Sequence, residues 1–378
     1  MDRRAILVLQ DGSVYEGRAF GAESTSCGEV VFGTGMTGYQ EMLTDPSFAG
    51  QILVFTYPLI GNYGVVEADS QSNRVRLSGL VVSEHCIHPS HYSSTLTLHQ
   101  AVLAEGVPGI AGLDTRALTR HLRSAGVMMG MITSEMDARE ALRALHRFPA
   151  YDTTDFVRRV STEDPYEWQS GECDGACLPR TADRVGKTDN VAAKAHIVIV
   201  DCGLKYSIPR VLSRLGCRIT IVPCTTTAEE VLGFNPDGVL LTPGPGNPAL
   251  LGYIADTVAK LIGRKPLMGI CLGHHLIAMA SGARTYKLMY GHRGANHPVR
   301  DCATGAIYIT AQNHGYAVDA DSVSNGFEVS HLNLTDGTVE GLRHREFPIL
   351  SVQFHCESSP GPLDSLCLFG RFLEMVKS

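Results

Sequence analysis

The chain reads as an α/β protein: a C-terminal, doubly wound, mostly parallel sheet with a nucleophile elbow, preceded by a smaller β-rich α+β domain. Three observations predict this. From His196 onward, short continuous apolar segments alternate with helix-like ones, the pattern of a parallel sheet covered on both faces. Up to about residue 160, short apolar runs are broken by Gly and Pro turns. Between them, residues 161–195 are polar, turn-rich and aperiodic, which marks a boundary. The chain of 378 residues is long enough for two cores. It divides into a domain at 1–160, a linker at 161–195 and a second domain at 196–378.

In the first part, "ILVLQDGSVYEGRAF" alternates around Asp11-Gly12, a hairpin signal. "DTRALTRHLRSAG" is a helix with Asp114 or Thr115 at its start and Gly126 just past its end. In the linker, "TADRVGKT" ends like a phosphate-binding loop. However, Thr181 stands where the first glycine of that loop belongs and no strand precedes it, so it reads as linker. Cys173 and Cys177 in "CDGAC" lack a second Cys or His pair, so an exposed pair is preferred to a zinc site. In the second domain "HIVIVD", "CRITIVP", "DGVLLTP" and "KPLMGIC" read as strands. "YSIPRVLSRLG", "TTAEEVLGF", "YIADTVAKLIG" and "HHLIAMASG" read as the helices between and after them. Such sheets place their sites at the C-terminal strand ends. The Gly-rich bends after Thr242 and at Cys271 both fall there.

The bulk numbers exclude several classes. Net charge is −7, with no basic stripe for nucleic acid. No apolar run approaches the roughly 20 residues of a membrane span, and the N-terminus is not a signal peptide. The 11 cysteines show no framework spacing, which fits a reducing, cytoplasmic setting.

Cys271 stands between Gly269 and Gly273 where an apolar strand turns into a helix. This is the thiol counterpart of G-x-S-x-G. The bend lifts the side chain above the sheet, and the helix N-terminus behind it favours a thiolate. The alternative is an ordinary core cysteine, since cysteine is among the most buried residues. A thiolate nucleophile needs a base and a group that aims the base. His355 and Glu357 follow the apolar run "PILSVQF" and are two apart, so on extended backbone they share a face. Glu357 then accepts from one ring nitrogen while the other faces Cys271, provided the two strands are neighbours. A solvated turn with a chance His-x-Glu is the bland alternative.

"GICLGHH", "GPGNP" and "QFHCESSPGP" resemble the class I (triad) glutamine amidotransferases. The likeness continues outside that domain. "GEVVFGTGMTGYQEMLTDPSFAGQILVFTYPLIGNYG", "AGLDTRALTRHLR", "HRGANHPV" and "TAQNHGYAV" are similar to the small-subunit family of glutamine-dependent carbamoyl-phosphate synthetases. The resemblance implies Cys271 as nucleophile, His355 as base and Glu357 as its orienting partner. It assigns Gly244, Gly246 and Leu272 to glutamine and oxyanion binding. Ser47, His275, Asn313, Gly315 and Tyr316 fall at further glutamine-binding positions. It departs from the family pattern at three places: His275 stands for the usual Gln, Cys356 for Pro and Pro243 for Asn. If His275 contacts glutamine, its protonation below about pH 6.5 is expected to alter binding.

The implied activity is hydrolysis of L-glutamine to glutamate and ammonia. The ammonia passes to a large subunit that makes carbamoyl phosphate from bicarbonate and ATP, for arginine and pyrimidine biosynthesis. ATP and Mg²⁺ are expected on that partner, with no cofactor and no metal in this chain. Heterodimers gathered into a higher oligomer are expected, with no nucleic-acid or membrane partner. The rival readings are a glutaminase for another synthase, a catalytically weakened activating subunit and a cysteine peptidase.

Overall fold

The computed structural model describes residues 3–169 and 194–377. The pair Cys173 and Cys177 and the loop-like stretch at Thr181 lie outside the described residues.

The N-terminal domain is built on a closed barrel of seven strands. Around the barrel they run Arg4–Leu9, Val14–Gly21, Pro108–Ala111, Gly79–Val82, Gln51–Phe55, Ser26–Gly33 and Met128–Thr133. The hairpin expected at Asp11-Gly12 forms, with Val8 opposite Val14. Gly12 has φ 89°, the left-handed conformation that glycine reaches without cost. The helix Thr115–Ala125 begins where Asp114 accepts from the Ala117 N–H at 2.8 Å and ends at Gly126, φ 94°. Its Leu118 and Leu122 pack in one cluster with Leu7, Leu9, Ile52 and Val54. The alternate strand residues Val31, Leu53 and Leu80 pack instead with Leu98 and Val102 of the helix Leu98–Ala104. Strand periodicity of two thus supplies two apolar layers from the same strands.

The C-terminal domain holds a ten-stranded sheet. Five strands are parallel: Cys217–Pro223, Ala195–Asp201, Gly238–Leu241, Leu267–Ile270 and Ile349–Val352. Their near-continuous hydrophobicity has a direct cause. Ile197 and Ile199 face one core with Phe369 and Phe372, while Val198 and Val200 face the other with Leu276 and Ile277. Beyond Ile349–Val352 the sheet continues antiparallel through Val339–His344, Phe327–Asn333, Thr285–Asp301 and Ile307–Val318. The described start of the stretch read as linker runs along the opposite edge. Tyr166–Glu167 pairs with Cys217–Pro223, and Trp168 packs against the core. Polar composition matched an edge position here rather than a free tether. Among the described residues, no helix is long and apolar enough to cross a membrane.

The two domains meet over the C-terminal ends of the parallel strands. Tyr206 N–H donates to Gln71 O at 2.8 Å, Thr34 N–H to Arg293 O at 3.2 Å, and Lys287 pairs with Glu29 at 2.7 Å.

Candidate active site

The strand Leu267–Ile270 ends at Cys271, and the helix Leu272–Ala280 starts immediately behind it. Cys271 has φ 54° and ψ −103°, a strained backbone of the kind that costs about 1–3 kcal/mol and persists where the surroundings enforce it. Its N–H donates to Val352 O at 2.8 Å, which pins the bend to the next strand. The flanking glycines are required by close approach. A Cβ on Gly269 would sit 2.6 Å from Gly273 O, and one on Gly273 would sit 2.4 Å from Leu241 O. Sequence spacing predicted this bend, and the structure gives its reason: the helix start rests directly on backbone.

The two strands that carry the candidate triad are neighbours, with Ile270 opposite Val352. His355 is held in place by its N–H donating to Ala311 O at 2.9 Å. Its Nδ1 lies 2.7 Å from Glu357 Oε1. Its Nε2 is buried without a hydrogen-bond partner among the described residues. Cys271 is 2% exposed, His355 2% and Glu357 0%, so the group is screened from bulk water. The Cys271 Sγ lies 3.6 Å from Asn313 O and accepts from Gln353 Nε2 at 3.7 Å.

A fourth member was not singled out from the sequence. Lys205, 1% exposed, places Nζ 2.6 Å from Glu357 Oε1 and 3.4 Å from His355 Nδ1. The available signal was a lysine directly after a buried strand end in "IVDCGLK", at the edge where sites form. Burial disfavours each charge, and the cluster overrides it. Lys205 and His355 pull the Glu357 carboxyl down to about 2. Against burial, Glu357 raises Lys205 further, and against burial and the Lys205 charge it holds the His355 imidazole up at about 10. A buried ion pair with this geometry is costly to break and cheap to replace whole.

Beside the sulfur lies a narrow, polar-lined cavity. Cys271, Leu272, Gly244, Gly246, Ser47, His275, Asn313, Gly315 and Tyr316, all read from the sequence, line it. Glu29, Gln51, Tyr151, Arg293 and His314 line it too and were not foreseen. Ser47 Oγ, Gln51 Oε1, His275 Nε2, Arg293 Nε and Tyr316 OH are buried there without a partner among the described residues. Unmet buried polar atoms are expensive, and a small polar ligand with several donors and acceptors answers them. Asp45 explains how a first-domain serine arrives. One carboxylate oxygen accepts from Ser47 N–H at 2.8 Å, and the other accepts from Asn313 Nδ2 at 3.2 Å. Gly246 N–H donates to Tyr151 OH at 3.0 Å, so its role is to shape the loop. A Cβ on Gly244 would lie 2.2 Å from Cys202 O, which explains that glycine.

Two of the departures are embedded in the core. Cys356 is fully buried and packs in the cluster that holds Cys271 and Phe354. Burial pushes His275 down to about 4, against the Tyr316 backbone and Gln353, which favour its charged form. The expected titration near 6.5 is thereby corrected: a 3% exposed imidazole stays neutral through the physiological range because charging it here is unsolvated.

Family comparison agrees with this architecture. Residues 7–132 match the carbamoyl-phosphate synthase small-chain domain, and residues 198–375 match class-I glutamine amidotransferases. The chain is 44% identical over 375 residues to a carbamoyl phosphate synthase small chain of Syntrophotalea carbinolica, covering 99% of this chain and 98% of that one. It is 48% identical to that of Akkermansia muciniphila, covering 99% and 97%. It is 45% identical to that of Staphylococcus epidermidis, covering 100% and 97%. With both domains matched and full-length relatives well above the level where family is secure, the chain belongs to the carbamoyl-phosphate synthase small-chain family and carries a class-I glutamine amidotransferase domain.

Proposed function

We propose that this chain hydrolyses L-glutamine through Cys271, His355 and Glu357 and delivers the ammonia to a large subunit that makes carbamoyl phosphate. The observation that carries the reading is the strained Cys271 backbone beside the buried His355–Glu357–Lys205 cluster, opening on a cavity of unmet polar groups.

The charge held on His355 sets the order of proton transfers. In this cycle the Cys271 sulfur attacks as its thiolate while His355 carries the proton. The sulfur attacks the side-chain amide carbon, and the developing oxyanion is met by the Gly244 and Leu272 amides; each such donor is worth about 2.7–4 kcal/mol in the transition state. His355 gives its Nε2 proton to the leaving nitrogen, the C–N bond breaks and ammonia departs, leaving a glutamyl thioester. Now neutral, His355 takes a proton from water, which attacks the thioester. Glutamate leaves, and the thiolate–imidazolium pair is restored. Glu357 stays ionised throughout and fixes the tautomer, with Lys205 holding Glu357.

Free ammonia becomes unreactive ammonium at neutral pH, so direct transfer to the partner is required. ATP and Mg²⁺ belong to the partner's chemistry, as do the arginine and pyrimidine pathways it serves. The reading is tested by acid-quenching the chain during turnover of isotopically labelled glutamine and locating the label by peptide mass spectrometry. A γ-glutamyl adduct on Cys271 supports it; a labelled adduct elsewhere, or none under burst conditions, refutes it.

A further inference from the structure

Beside the cavity, which His314 itself helps to line, three strands bring together His292, His314 and Glu340. His292 on Thr285–Asp301 and His314 on Ile307–Val318 are direct cross-strand partners, so their side chains share one sheet face. Glu340 arrives from Val339–His344. One donor atom from each of the three lies within 4.8 Å of the other two, and His292 Nδ1 is 3.7 Å from Glu340 Oε1.

How each side chain is anchored decides what its remaining atoms offer. His292 Nε2 is 2.8 Å from Asp336 Oδ2. His314 Nδ1 is 2.7 Å from Tyr316 O, a carbonyl that only accepts, so that nitrogen carries the proton. This leaves a lone pair on His314 Nε2. The Glu340 carboxylate accepts from Asn333 Nδ2 at 2.8 Å and from Gln312 Nε2 at 2.9 Å. His292 Nδ1 and His314 Nε2 are both buried with no hydrogen-bond partner among the described residues, in side chains 8% and 5% exposed. Imidazoles that ligate metals almost always hand their other N–H to a carboxylate or a backbone carbonyl. Both arrangements are present here, converging on a carboxylate.

We propose that His292, His314 and Glu340 bind a zinc ion, with water in the fourth position. Two neutral imidazole nitrogens and one carboxylate oxygen form a donor set that suits Zn²⁺. The ion ties the strand bearing Asn313, Gly315 and Tyr316 to Val339–His344, whose Glu340 O accepts from Gln353 N–H at 2.9 Å. Zinc here braces the wall of the cavity and takes no part in the chemistry at Cys271. The competing occupant is a proton, which the Glu340 and Asp336 carboxylates favour on His292 despite burial. This site does not depend on the glutaminase reading. It departs from the sequence expectation of a metal-free chain, which weighed only the Cys173–Cys177 pair.

The test uses the full chain, stripped with a chelator and with accessible thiols alkylated. Zn²⁺ is titrated in competition with a chromogenic chelator, and Co²⁺ is substituted to read the ligand field. The expected result is one tight equivalent, a Co²⁺ spectrum without thiolate charge transfer, and a higher melting temperature with Zn²⁺. Glu340→Gln and His292→Asn should each weaken binding by about a hundredfold or more, at least the effect seen for supporting residues around metals. Absence of a tight equivalent in the wild-type chain, or wild-type affinity retained in both variants, overturns the proposal and leaves a proton-bridged network. The wild-type titration and spectrum do not depend on how either variant folds.

Discussion

Replacing Glu357 by Gln changes one oxygen to an amide and leaves the side-chain shape intact. In the wild type, Glu357 Oε1 meets Lys205 Nζ at 2.6 Å and His355 Nδ1 at 2.7 Å, with all three side chains almost fully buried. The variant leaves the Lys205 ammonium buried without its counter-ion, a loss of about 3–5 kcal/mol in stability. The double variant Glu357→Gln/Lys205→Met removes both charges and should regain most of that loss, because replacing a whole buried pair by apolar volume is close to neutral. Neither variant should regain activity. Without the carboxylate the imidazole loses its tautomer and aim, a defect that cost a serine protease about 10⁴ in kcat. The pH dependence carries a second signature. Glu357 sits at about 2, below the ordinary carboxyl value of 4.5, so its contribution is full above pH 4.5 and fades as pH falls through about 2. His355 sits at about 10, above 6.5, so its contribution is full below pH 6.5 and is lost as pH rises through about 10. Urea unfolding of the wild type should therefore give a stability plateau between these limits, and the double variant should show both arms flattened. Single and double variants of equal stability, or a Glu357→Gln enzyme with wild-type kcat, would refute the cluster's role.

Further outcomes follow from particular contacts. Ser47→Ala should raise KM for glutamine by about tenfold or more with little change in kcat, the pattern of a lost hydrogen bond to a charged ligand group; an unchanged KM removes the first domain from the substrate. Gly273→Ala forces a Cβ to 2.4 Å from Leu241 O and should cost about 1–3 kcal/mol in urea unfolding, with kcat falling as the elbow shifts. Because His275 is held at about 4, KM should be flat with respect to this residue from pH 5.5 to 8, and any acid-side rise should centre near 4 and vanish in His275→Gln; an inflection near 6.5 contradicts its burial. Cys356→Pro should raise kcat/KM only if the natural residue loosens His355. Its packing in the core beside Phe354 predicts a change of less than tenfold, and a larger gain would identify a naturally slow glutaminase.

The sequence made the parallel half of the C-terminal sheet legible because burial on both faces writes itself as unbroken apolar runs such as residues 197–200. The elbow was legible because close backbone approach leaves only glycine at positions 269 and 273. His355 and Glu357 were picked out as neighbours on extended backbone, but the strand ends at Val352 and the two meet across a turn in which Ser358 N–H donates to His355 O at 3.1 Å. The antiparallel half was not: Thr285–Asp301 runs for 17 residues with bulges that shift its register, which breaks the alternation that marks a strand. Lys205 was passed over for a related reason. A lysine in a Gly-containing bend looks solvated, and only the approach of Glu357, 152 positions later in the sequence, turns it into a buried partner. The contact between Asp45 and Asn313, which seats Ser47 at the site, likewise exists only once the domains are docked.

The most direct measurement is glutamate release from L-glutamine by the chain assembled with a carbamoyl-phosphate synthase large subunit, comparing wild type with Cys271→Ser. Carbamoyl phosphate synthesis from added ammonia runs in parallel. The account predicts that Cys271→Ser loses glutamine hydrolysis and glutamine-dependent synthesis while ammonia-dependent synthesis continues at the wild-type rate. Normal glutamate release by Cys271→Ser, in a complex whose ammonia-dependent synthesis is intact, would contradict the assignment of the nucleophile and with it the whole site.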